Sequence, residues 1–181
     1  VRISALLVGL LLGVGPVPAV DGQAWGRATL ATAPTVQADG LSITVPASIS
    51  LGAGTPGGTV TGSLPRVTVE DFRSAVNPNA WTATASATAF VTGPGGPDRT
   101  VAPSQVAYWS GPVVRSTGGG TLLPGQPTAA QAVTLGAPRV AFRKTTGNAN
   151  NTVRWSPTLR VTIPSGAVAG TYVATITHSV A

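Results

Sequence analysis

The chain has 181 residues, of which 43% are hydrophobic and 9% charged, with 23 Gly, 16 Pro, no Cys and a formal net charge of +6. That hydrophobic content argues against a disordered polymer, the frequent Gly and Pro argue against an all-α fold, and the length suits one ordinary domain. A single His and five acidic residues (Asp21, Asp39, Glu70, Asp71, Asp98) stock the chain poorly for acid/base or metal chemistry, so the expectation is a protein that is not an enzyme and has no cofactor.

In chain order, Arg2 forms a short basic start and Ile3 to Val14 an apolar run that Gly15, Pro16 and Pro18 end. The run is short of the roughly 20 residues that span a bilayer, and it predicts a secretory signal peptide over 1–24, cut after Ala19 or after Ala24. Residues 25–40 then read as a leader before a domain over 41–181. Without Cys, neither disulfides nor a lipidated anchor is available. Leu123-Pro124-Gly125-Gln126-Pro127 lacks the Thr of a sortase signal and lies mid-chain. The expectation is an extracellular protein with no membrane association after cleavage and no covalent wall anchor.

Period-two alternation marks strands with one buried face. Leu41–Val45, Ser48–Leu51 and Val67–Asp71 come first. The clearest case follows, with Trp81, Ala83, Ala85, Ala87, Ala89 and Val91 on one face and Thr82, Thr84, Ser86, Thr88 and Phe90 on the other. Val106–Trp109, Ala132–Leu135, Arg139–Phe142 and Val153–Trp155 are weaker candidates. Leu159, Val161 and Ile163 alternate with Thr158, Arg160 and Thr162, and the last strand places Tyr172, Ala174, Ile176, His178 and Val180 on one apolar face. Gly- and Pro-rich turns separate these segments, among them Gly93 to Pro97, Gly118 to Gly120 and Gly147 to Asn151. The pattern predicts an all-β antiparallel sandwich of about eight to ten short strands with Greek-key connections.

From Arg99 onward the chain carries Arg99, Arg115, Arg139, Arg143, Lys144, Arg154 and Arg160 and no carboxylate side chain, a half-chain suited to polyanions. It holds no recognition helix, zinc motif or aromatic RNA-binding segment, so nucleic acid is not the expected partner. Flat aromatic side chains stack on sugars. Tyr108 and Trp109 point to opposite faces of one strand, and Trp155 follows Arg154. Trp109, Trp155, Arg115, Arg143, Lys144 and Arg154 are therefore the candidate wall- or glycan-binding residues. Asp71 and Arg73 share a strand face and are expected to form a structural ion pair, with Glu70 turned away so that no carboxylate dyad forms. His178 is expected to be a packed, hydrogen-bonded core residue, since no Cys or second His could complete a metal site.

Val69-Glu70-Asp71-Phe72-Arg73, Trp81-Thr82-Ala83-Thr84-Ala85-Ser86 and Gly170-Thr171-Tyr172-Val173-Ala174-Thr175-Ile176-Thr177-His178-Ser179-Val180 follow one another in an order that resembles the WxL-type surface domain of Gram-positive bacteria, over roughly residues 40 to 181. The resemblance implies an exported β-rich domain held non-covalently on the cell wall through peptidoglycan or an anionic wall polymer, often beside other surface proteins. Asp71, Arg73, Trp81, Ala83, Tyr172 and His178 stand at the signature positions, with Ala83 where the family has Leu and His178 where it has Trp. By alternation both signatures fall on apolar faces, which gives them a packing role. Low Lys with abundant Ala, Gly, Pro and Arg suggests a high-GC, actinobacterial origin. An assembly or adhesin-like subunit that binds another surface protein is the alternative function.

Overall fold

A computed structural model describes the backbone of residues 2–12 and all of residues 40–73 and 78–181. Among these the chain is all-β, with sixteen strands numbered in chain order and no α-helix, so the strand count exceeds the eight to ten expected. The largest sheet has eight strands. Its main path runs β11 (Leu122–Pro124), β13 (Arg139–Lys144), β6 (Trp81–Ala87), β16 (Gly170–Val180), β1 (Arg2–Leu12), β3 (Ser48–Gly54), and β7 (Phe90–Val91) and β8 (Thr100–Val101) attach beside β16. Two four-stranded sheets complete the fold. One is β10 (Val113–Thr117), β14 (Asn151–Trp155), β5 (Val67–Asp71), β2 (Leu41–Thr44); the other is β12 (Val133–Thr134), β9 (Val106–Trp109), β15 (Thr158–Thr162), β4 (Thr59–Ser63).

The two small sheets lie side by side against one face of the large sheet, because the core face of β6 and of β16 feeds two hydrophobic clusters. Trp81, Ala83 and Val180 pack with Phe142, Trp155, Val153, Val67, Val69 and Ile43. Ala85, Ala174, Ile176 and Tyr172 pack with Phe90, Tyr108, Leu159, Val161 and Leu135. The alternation of the last strand holds throughout: Tyr172, Ala174, Ile176, His178 and Val180 are all buried. Ala83 lies directly opposite Val180, and Ala85 opposite His178, so the small side chains on β6 leave room for larger partners.

Three local departures come from bulges. Residues 81–91 do not form one uniform strand. Ala87 pairs with Ile176 and Val91 with Val173, so β6 and β7 use one more residue than β16 over this stretch. The extra residue reverses the inward face. Phe90 is therefore buried while Val91 is 37% exposed, the reverse of the expected faces. In β13 the register shifts between Val140 and Phe142, which lets the adjacent Ala141 and Phe142 both enter the core. In β10 a similar shift leaves Val114 outside. Strands β4, β8, β10 and β11 were not expected; β10 and β11 are exposed or half-exposed throughout and lack a buried alternation to read.

The expected signal segment is a strand in this chain. β1 pairs antiparallel with β16 from Arg2↔Val180 to Leu12↔Gly170, and parallel with β3 from Leu7↔Ser48 to Leu12↔Gly54. Both expected cleavage points, and the leader up to Asp39, lie outside the described residues.

Candidate functional site

The aromatic candidates are mostly core. Trp155 is fully buried and stacks on Phe142 at 4.9 Å, and Tyr108 is fully buried. Trp109, the next residue on β9, is half-buried and faces out of its sheet. A sugar-stacking role for Trp155 is thus excluded by packing, and Trp109 is the Trp of that candidate pair that solvent reaches. The signal for Trp155 was its alternation with Val153, which faces the same core.

The basic candidates divide among three places. Arg115 on β10 and Arg154 on β14 sit directly opposite each other, and with Thr117 and Thr152 they line a surface cleft of about 180 Å³. Glu70 pairs in register with Thr152 on the same outer face and, among the described residues, forms no ion pair. Arg143 is exposed on the outer face of the large sheet, between buried Phe142 and Lys144. Since the two sheets face each other across the core, Arg143 and the Arg115–Arg154 pair lie on opposite sides of the sandwich. Lys144 is 1% exposed and belongs to neither surface, which removes it from the candidate wall-contacting set.

Lys144 instead anchors a buried polar cluster at one end of the core. Its Nζ donates to Asn79 Oδ1 at 2.5 Å, to the Asn79 carbonyl at 3.2 Å and to the Gly147 carbonyl at 3.2 Å. Asn79 is itself 0% exposed and is fixed by its side-chain amide, which donates to the Ala149 carbonyl, and by its backbone N–H, which donates to the Gly147 carbonyl. Glycines close the roof. Gly118 and Gly120 have φ of +79° and +121°, and a Cβ on either would collide with the Asn150 or Thr146 carbonyl.

Beside this pair, Arg73 clamps Asp71 through Nε to Oδ1 at 2.9 Å and Nη2 to Oδ2 at 3.1 Å, while Nη2 also reaches the Ala80 carbonyl. This is the ion pair expected from the sequence. Trp81 donates its indole N–H to Asn151 Oδ1 at 3.1 Å, and Asn151 sits opposite Asp71. Burial pushes the Asp71 carboxyl up, but the Arg73 side-chain and backbone hydrogen bonds, the Arg73 charge and Asn151 together hold it below its ordinary value. Burial lowers the Lys144 ammonium, with the Asp71 charge acting against that and the Arg73 charge with it. Lys144 and Asn79 carry no local motif, being 65 residues apart, so the sequence alone did not single out their pairing.

His178 meets Tyr108 where the two hydrophobic clusters adjoin, with Nε2 3.2 Å from the phenol oxygen. Burial pushes the imidazole down to about 4, so it is neutral at physiological pH, and burial raises the Tyr108 phenol. Among the described residues no cluster of three His, Cys, Asp or Glu could hold a metal ion. In comparisons with known proteins, no family model, no curated protein and no solved structure matches this chain.

Proposed function

We propose that the protein is an exported, non-enzymatic, WxL-like surface sandwich that associates non-covalently with the cell wall, through peptidoglycan or an anionic wall polymer. The observation that carries this reading is the Arg115–Arg154 cleft. Two guanidinium groups side by side on neighbouring strands, with threonine hydroxyls at the next positions, suit the phosphate or carboxylate oxygens of a wall polymer. No carboxylate side chain follows Asp98 in the sequence, and Glu70, in register with Thr152, is a single acidic neighbour against the two guanidinium groups.

The test is co-sedimentation with insoluble cell-wall sacculi at low and high salt. The expected result is pelleting that weakens with salt, falls severalfold in the R115Q/R154Q double variant, and changes little in R143Q on the opposite face. A double variant that pellets like the parent would overturn the electrostatic reading; a parent that stays in the supernatant at both salts would overturn wall binding.

One observation favours assembly with another surface protein as a second reading. β1 occupies an interior place in the large sheet between β16 and β3, and it is the segment that export would remove. Its loss would leave two strands with unpaired backbone groups, a template for an incoming strand.

A further inference from the structure

We infer that Lys144 and Asn79 are the two halves of an intramolecular isopeptide bond, formed after folding between Lys144 Nζ and Asn79 Cγ. The inference rests on placement and is independent of the wall-binding reading. Nζ lies 2.5 Å from Oδ1, closer than the roughly 2.7–2.9 Å of a charge-assisted N–H···O bond. With a carbonyl bond of about 1.2 Å, Nζ can be no farther than about 3.7 Å from Cγ, near the range in which bound groups react. Both residues are essentially inaccessible, so water does not compete for the amide carbon. The Ala149 carbonyl holds Nδ2 on the far branch of the amide, which fixes the carbonyl branch against the amine. The burial that lowers the ammonium makes the neutral, nucleophilic amine more accessible.

The step balances without an oxidant or a second substrate. The deprotonated Nζ forms a bond to Cγ, the Cγ–Nδ2 bond breaks, and both protons that Nζ gives up end on the departing nitrogen. Lysine ammonium plus asparagine amide thus become a secondary amide plus ammonium ion. The bond would join the segment before β6 to the end of β13, closing a covalent loop in a chain that has no cysteine for a disulfide.

Intact-mass spectrometry of the purified protein under denaturing conditions tests the inference, followed by proteolysis and sequencing of any linked peptides. The expected result is a mass lighter than the sequence by one ammonia, with a single branched peptide that joins residues 79 and 144; K144R and N79A should each restore the full mass. The parent measurement stands whether or not either variant folds. A folded parent of full mass would overturn the bond and leave Lys144 as an ammonium held by its three acceptors. Loss of ammonia without the 79–144 linkage would overturn it equally.

Discussion

At the scale of single residues, two buried titratable groups give the protein separate pH responses. His178 is held near 4 when folded against an ordinary value of 6.5, so between these values the unfolded chain binds the proton more readily. Stability is then complete above about 6.5 and declines as pH falls toward 4, by about 3 kcal/mol for this group. Thermal melts of H178F across pH 4 to 7 should lose that slope, whatever the substitution does to stability at neutral pH. Asp71 acts in the same direction in a lower window: its depressed value makes its contribution present above 3.8 and lost as pH falls below. Because Asp71 is fully buried and Arg73 is only 20% exposed, R73A leaves an uncompensated internal charge. It should cost about 3 kcal/mol in denaturant unfolding, more than D71N, which removes the charge itself.

Elements were legible where the chain keeps strict alternation and opaque where it does not. β15 and β16 have the faces that their sequences predict, since each buries one side and leaves the other partly or fully exposed. The two signature segments were read as apolar faces with a packing role, and the structure makes β6 and β16 adjacent, with Ala83 against Val180. The bulge after Ala87 was not legible, because an inserted residue leaves the pattern of side chains unchanged and alters only the pairing. F90A should therefore cost about 3–4 kcal/mol by emptying a core position, whereas V91T should cost under about 0.5 kcal/mol, as measured by urea unfolding. A strand that continued without the bulge would give the reverse order. The candidate site was partly legible for the same reasons. Asp71 and Arg73 are two apart on one strand and could be paired by inspection, and Arg115 with Arg154 could not, because β10 has no buried face to announce it. Lys144 was read as one more member of a basic half-chain, when its place after Phe142 on a bulged strand turns it inward.

The whole molecule is held together by two strands, β6 and β16, that run under both hydrophobic clusters, and by sheets assembled almost wholly from distant segments. Among the described strands only β7 and β8 are both consecutive and paired, so loop closure must precede most of the stabilising contacts. Folding on the millisecond-to-second scale of non-local β proteins is expected. The position of β1 sharpens this into a test. Strand β16 is paired along its whole length by β1 on one side, and by β6 and β7 on the other, so a chain that starts at Trp25 keeps both clusters but loses one complete flank of its longest strand. Residues 25–181 should therefore unfold at a lower urea concentration than residues 1–181. By the same logic, the shorter chain should associate with itself in light scattering as concentration rises, and added peptide of residues 2–12 should reverse both effects. Equal stability and a strictly monomeric short chain would mean that the flank of β16 needs no partner, and would remove the physical ground for the assembly reading while leaving the Arg115–Arg154 cleft untouched.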